Sequence, residues 1–279
     1  MSDAKYDAAL DLLRRLDPSK TKANLQNVIS LEPELAEDLL SSIDLPLTVM
    51  TDGKASNREF LCCDYNRDMD SYRSPWSNDY FPQLSAQDLA ESPFPSAPLR
   101  ELETLCNDSF DVYRDLYYEG GVSSVYLWDL DEESDFAGVA LFKKSNVSTS
   151  SWDSIHVIEV TAQGNGDFNY KLTSTIILQL DTAQVNATAA AMKLSGNLTR
   201  QTERDFRVDA TSDEQRRIAH ITNLGTLIED TESQMRDMLE TVYFEKTRDI
   251  FHQTKNSLAA NNESNKTAQE EVIKGLQGL

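Results

Sequence analysis

The stretch from Asp213 to Lys255, DEQRRIAHITNLGTLIEDTESQMRDMLETVYFEKTRDIFHQTK, holds no proline and a single glycine, Gly225. Apolar residues recur through it as Ile218, Ile221, Leu224, Ile228, Met235, Met238, Leu239, Val242, Ile250 and Phe251. Their spacing is mostly three or four, which stacks side chains on one helix face. The spacing predicts one helix of roughly 40 residues, about 60 Å long at 1.5 Å per residue. A globular helix averages about 12 residues. A helix this long must lie across something larger than a small domain core, and its own chain is expected to fall short of covering it. The protein is therefore expected to be half of an assembly.

Upstream of that helix, residues 122–208 read as a sheet. Val122 to Leu130, Phe136 to Lys143, Trp152 to Val160, Tyr170 to Leu180 and Ala191 to Phe206 are β-branched or alternating runs. Turns such as Gln163-Gly164-Asn165-Gly166-Asp167 separate them. Five consecutive strands with short links predict an antiparallel meander, because parallel strands need long crossovers. The long helix can cover one face of it. Further upstream, Leu99, Leu102, Leu105, Phe110, Tyr113 and Tyr117 predict a helix of about 20 residues closed at Gly120-Gly121. Phe60 to Cys63 reads as a strand, followed by an irregular Pro-, Asp- and Tyr-rich segment. The N-terminus carries three short amphipathic helices: residues 4–16, one around Leu25, Val28 and Ile29, and one from Pro33 through Leu35, Leu39, Leu40 and Ile43. Each is too short to stand alone, so packing must hold them as a bundle.

Composition narrows the function classes. The chain has 279 residues, is 39% hydrophobic and 26% charged, and carries a formal net charge of -21. That balance argues against nucleic-acid binding, which needs a basic surface, and permits partners with basic patches. There is no apolar run of signal-peptide or membrane-spanning type. Cys62, Cys63 and Cys106 make an odd set with two neighbours, which predicts reduced thiols and a cytosolic protein. The P-loop, G-x-G-x-x-G, G-x-S-x-G and H-E-x-x-H signatures are absent, and no enzyme is expected. His156, in a predicted strand, reads as a packed residue. Asp129, Asp131, Glu133 and Asp135 mimic the start of a calcium loop, but Ser134 and Ala140 occupy the positions that need Gly and Glu. An acidic hairpin turn is expected there, with no metal or cofactor. Asp64, Asp68 and Asp70, interleaved with Arg67 and Arg73, read as an ion-pair network that orders the loop.

Beyond Lys255 a polar link, Ala259 to Lys266, leads to a short segment in which Val272, Ile273, Leu276 and Leu279 recur at about helical spacing. A terminal helix that cannot cover its own apolar face is a candidate for binding a partner.

The run Cys63-Asp64-Tyr65-Asn66-Arg67-Asp68, continuing as Ser71-Tyr72-Arg73-Ser74-Pro75-Trp76-Ser77-Asn78, resembles the signature of the beta subunit of the F-actin capping protein. The runs Tyr113 to Tyr117, Glu119 to Asp129, Trp152 to Val157, Tyr170 to Thr175 and Tyr243-Phe244 agree with it, so the resemblance spans about Ala8 to Asp249. It implies an α+β fold: an N-terminal three-helix stalk, an antiparallel meander sheet, a long C-terminal helix across the sheet and a short C-terminal amphipathic tail. The corresponding division is a stalk at 1–45, a loop-rich segment with one strand and a helix at 46–121, the sheet at 122–208, the long helix at 209–256, and a linker with an actin-binding tail at 257–279. The resemblance further implies an obligate heterodimer with an alpha subunit, sheets joined edge to edge, that caps barbed filament ends without calcium, severing or catalysis. Expected partner-facing residues on the long helix are Ile221, Ile228, Met235, Leu239 and Val242. Expected actin-binding residues are Val272, Ile273, Lys274, Leu276 and Leu279. Regulators with basic motifs or acidic phospholipids, and a place in cortical actin structures of the cytoplasm, are implied as well. This tail is short, with Lys274 its only cation after Lys266, so the contact leans on apolar residues. The competing reading is a scaffold subunit whose tail adds little to actin binding.

Overall fold

The computed structural model describes residues 2–16, 20–132, 134–145, 150–181 and 193–241. Contacts divide the chain into two compact units, Met1–Thr231 and Glu232–Leu279.

The N-terminal bundle consists of α1 (Ser2–Arg15), α2 (Thr21–Leu31) and α3 (Ala36–Ser42), with Pro33–Leu35 forming a tight 3-10 turn before α3. Proline fits that first turn because its missing N–H is not needed there. Ala9, Leu25, Val28, Leu35 and Leu39 are the bundle's buried core. Tyr6 Oη donates to Ser42 Oγ at 2.6 Å, tying the first helix to the end of the third.

The segment that the sequence presents as irregular is more ordered than its composition suggests. β1 (Thr48–Asp52) and β2 (Arg58–Cys62) form an antiparallel hairpin. The tiny strands β3 (Arg67–Asp68), β4 (Ser71–Arg73) and β5 (Tyr80–Phe81) form a second small sheet. Strands this short carry too little hydrophobic pattern to be read from sequence. Cys63 lies just past β2 rather than within it. α4 (Ala86–Glu91) is capped by Ser85, whose Oγ accepts from Asp88 N. α5 (Ala97–Tyr118) ends where Glu119 and Gly120 turn left-handed at φ 36° and 81°.

The main sheet is an antiparallel meander in the order β10-β9-β8-β7-β6. Its strands are β6 (Val122–Asp129), β7 (Phe136–Ser145), β8 (Ser151–Gly164), β9 (Asp167–Asp181) and β10 (Lys193–Arg207). The central strands are apolar on both faces. Val125, Leu127, Ala140, Phe142, Ile158 and Leu172 belong to one core, with Leu102, Cys106 and Phe110 of α5. Tyr126, Val139, Leu141, Ile155 and Ile177 belong to another, with Leu47 and with Leu61 of β2. Each fully buried side chain of this size contributes about 1.5–3 kcal/mol. Gly138 allows β6 and β7 to pair so closely that an added Cβ would stand 2.3 Å from Leu127 Cδ2.

α6 (Asp213–Leu239) opens with Ser212 as its cap, Oγ accepting from Gln215 N at 3.3 Å, and with Asp213 and Glu214 in the first turn. Leu224, Leu227 and Ile228 seat it on the same sheet face as α5. The boundary between the two units falls within this helix. The predicted continuation of the helix to Lys255, the linker and the tail lie outside the described residues. No described helix is long and apolar enough to cross a membrane.

Candidate binding surfaces

The loop that carries the most distinctive sequence run is held by buried polar residues. Glu103 of α5 is fully buried and accepts from Arg73 Nη1 at 2.8 Å, Arg73 Nη2 at 2.7 Å and Leu127 N at 2.7 Å. Arg100 Nη1 donates to the same carboxylate, and Arg100 Nη2 donates to the Pro75 carbonyl at 2.7 Å. Asn66 donates to the carbonyls of Leu61 and Arg73 and accepts from Cys63 N. Ser74 Oγ donates to the buried Asp52 carboxylate at 2.5 Å. Burial opposes the charge on Asp52, but hydrogen bonds from Ser74, Ser77, Lys54 N and Ala55 N win and lower its pKa. Trp76 Nε1 donates to the Glu59 carbonyl, and the Arg58 guanidinium lies 3.5 Å from the Trp76 ring centroid.

The expected ion-pair network is thus only partly formed as read. Arg67 reaches Asp64 at 3.9 Å and Asp70 at 3.3 Å, but these are exposed pairs worth little. Arg73 turns away from the acidic loop to Glu103, because a bidentate, desolvated partner outcompetes carboxylates in water. Glu103 and Asn107 are the structural residues that sequence reading missed. They lie on the helix side facing β6, where Asn107 Oδ1 accepts from Val125 N and Nδ2 donates to the Val125 carbonyl. A buried acid and amide inside an otherwise apolar helix stripe were the available signal.

Between the helical bundle and β2 lies a cavity of about 330 Å³. Leu25, Ile29 and Leu40 form one wall, and Cys62, Cys63, Tyr65 and Tyr72 another. Asp44 and Asp64 put two carboxylates on its lining, and Lys22 and Arg67 put two cations there. Burial raises the Asp44 pKa, a hydrogen bond from Thr175 opposes that rise, and the nearby Asp64 charge adds to it. Tyr65, stacked on Trp128 at 5.7 Å between ring centroids, remains 42% exposed. The pocket therefore combines apolar walls and an aromatic edge with charges of both signs. The two thiols are inert, since burial pushes both Cys62 and Cys63 up to about 12.

The second surface is the outer edge of the sheet. β10 pairs with β9 over fifteen residues, Lys193 to Arg207, and has no described strand on its other side. Its length is a complete row of main-chain donors and acceptors open to a further strand.

The partner-facing residues expected on the long helix separate into groups. Ile221 is half-buried, and Ile228 is fully buried in the sheet-facing core of its own chain. Met235 and Leu239 are buried within the second unit's part of α6. Val242, and the tail residues Val272, Ile273, Lys274, Leu276 and Leu279, lie outside the described residues. The acidic residues expected to mimic a calcium loop form the hairpin turn between β6 and β7. Asp129 accepts from Ser96 N and Oγ, and Asp135 Oδ1 accepts from Ala162 N. Glu133 lies outside the described residues. His156 is buried with Nδ1 at 2.8 Å from Ser174 Oγ. His220 packs between Phe136 and Phe168 with Nδ1 at 2.7 Å from Tyr170 Oη, and burial plus the Arg216 charge lower it to about 4. Neither imidazole has a nucleophile and an open substrate position beside it.

Comparison with known proteins gives a consistent result. A family model described as "F-actin capping protein, beta subunit" matches residues 6–251. The chain is 68% identical to an F-actin-capping protein subunit beta from Candida glabrata, covering 99% of this chain and 100% of that protein. It is 63% identical to the protein of the same description from Saccharomyces cerevisiae, covering 100% of both. Among solved structures, a homodimeric actin capping protein alpha subunit from Plasmodium berghei is similar with a TM-score of 0.52 at 16% identity. That similarity covers 92% of this chain and 97% of the other. At that identity the likeness concerns the fold.

Proposed function

The chain belongs to the F-actin capping protein beta subunit family, and from that premise we propose how it performs the family's task. It is the beta subunit of a capping protein that binds barbed filament ends and blocks subunit addition and loss. The reaction has no chemical step, so its mechanism is one of complementary surfaces. The observation that carries this reading is the 68% and 63% identity to beta subunits along essentially the whole chain.

An alpha subunit is the natural occupant of the open β10 edge. Strand addition there would extend the five-stranded sheet and remove its unpaired row of backbone groups. Ile221, Met235, Leu239 and Val242 of the long helix are the side chains we assign to contact with the alpha subunit. Ile228 is not among them, because its own sheet already covers it. The tail residues Val272, Ile273, Leu276 and Leu279 would bury an apolar face on the terminal actin subunits, with Lys274 adding a salt-sensitive contact. A regulator with a basic motif suits the acidic face of the helical bundle, where Glu34, Glu37 and Asp38 are exposed. Acidic phospholipids have no comparable support in a chain of net charge -21. Actin-rich cortical structures are the expected place of action.

The test is to co-express this chain with an alpha subunit and compare full-length heterodimer with a variant ending before Ala268. Changing Ile273 and Leu276 together to Ser should raise the barbed-end off-rate about tenfold, equivalent to about 1.4 kcal/mol, with assembly intact. If the double variant lowers heterodimer stability instead and leaves the off-rate unchanged, the tail is core and not an actin contact.

A further inference from the structure

α5 and α6 lie on one face of the sheet and are joined at two points. Arg217 Nη1 meets Glu101 Oε2 at 3.0 Å, and Tyr117 Oη donates to Glu229 Oε1 at 2.7 Å. The order of these bridges makes the two helices run side by side in the same direction. At 100° per residue, Leu105, Val112 and Leu116 fall within about 40° of one another on α5. All three are exposed, at 38%, 60% and 71%. On α6, Ile218 and Gly225 fall within about 20° of one another on the side turned to α5. Ile218 is 54% exposed, and no atom lies within 4 Å of the place a Cβ on Gly225 would take. Between the two bridges there is thus an apolar groove whose α6 wall is cut away at a glycine.

A lone exposed leucine needs no explanation, but four exposed apolar side chains bordering one groove do. The rim carries acids: Asp108 and Asp115 on α5 and Glu229 on α6 are all exposed. Asp115 and Glu229 make single contacts, to Arg114 and Tyr117, that leave carboxylate oxygens open to a second cation. We infer that this groove is a docking site for an amphipathic helix of another protein, one with an apolar stripe flanked by Lys or Arg. The apolar stripe fills the groove over Gly225, and the flanking cations meet the acidic rim. This site is separate from the β10 edge.

The probe is a short, fluorescently labelled Leu/Lys peptide with its leucines on one helix face, titrated onto the purified heterodimer by anisotropy. A peptide of equal composition with scrambled order is the control. The ordered peptide should bind and the scrambled one should not. Val112→Ser with Leu116→Ser should weaken binding by about tenfold or more. Gly225→Leu, which fills the groove and improves helix propensity, should weaken it similarly without lowering the melting temperature. Asp108→Asn with Asp115→Asn should flatten the salt dependence. Equal binding of both peptides, or binding unaffected by the serine and leucine variants, would mean bare charge attraction and overturn the inference. So would failure of the ordered peptide to bind while Gly225→Leu impairs heterodimer assembly, since the alpha subunit would then own the groove.

Discussion

Replacing Arg73 by Met breaks the most heavily bonded buried pair in the described structure. The guanidinium gives two hydrogen bonds to Glu103, at 2.8 and 2.7 Å, and one to Asn78 at 2.7 Å. Both side chains of the ion pair are out of water, with 6% and 0% of their surface exposed. Methionine fills most of the volume, so the cost is chiefly that of a buried carboxylate losing its main counter-charge. Such a loss typically costs 3–5 kcal/mol. Arg100 and the Leu127 N–H still face Glu103, which places the expectation at the low end, about 3 kcal/mol. Against a total stability of about 5–15 kcal/mol this is large. Urea unfolding of the heterodimer at one fixed concentration should show the midpoint falling with an unchanged slope. In the E103Q background the same substitution should cost at least about 1 kcal/mol less, because no buried charge is then abandoned. A cost below about 0.5 kcal/mol, or one equal in both backgrounds, would refute the clamp.

Acid should loosen the fold through His220. Its pKa is lowered from 6.5 to about 4, so between those values the unfolded chain holds a proton that the folded chain does not. Stability from this residue is complete above pH 6.5 and falls as pH drops toward 4, by about 3 kcal/mol; a wild-type minus H220Q difference flat across that range would exclude it. Maleimide labelling of native heterodimer at pH 7 should leave Cys62 and Cys63 largely unmodified, since burial pushes both thiols up to about 12; rapid labelling of either would show that the cavity is open and the thiol activated. A regulator peptide with a basic motif should lose affinity as salt rises and on Glu34→Gln with Glu37→Gln; an affinity independent of both would remove the bundle's acidic face as the regulator site.

The elements with a strong period were legible in the sequence. The five strands of the meander, α5 and the start of α6 appear within a few residues of their expected ends, because turn residues and apolar runs mark them. The three short N-terminal helices were legible for the same reason. What stayed hidden was non-local. The sheets β1-β2 and β3-β4-β5 are defined by pairing, with strands of two to five residues, so no window of sequence contains their pattern. Arg73 could be seen as charged, but its partner is thirty residues away on a helix. The family resemblance rested on that same loop, and the structure supplies the physical reason. Asn66, Arg73, Ser74 and Trp76 each make a specific side-chain hydrogen bond that few other residues could replace. The binding surfaces were the least legible part. A free strand edge and a groove between two helices exist only once the fold has formed, and Ile228, read as partner-facing, belongs to the chain's own core.

The central claim is that this chain, joined to an alpha subunit, closes the barbed end. Its most direct test follows individual filaments growing from preformed seeds by fluorescence microscopy, before and after addition of the purified heterodimer at nanomolar concentration. The account predicts that growth and shrinkage stop at the barbed end while pointed-end growth continues, without breaks along the filament and equally in calcium chelator. Barbed ends that keep elongating at their original rate in the presence of well-folded heterodimer would contradict it.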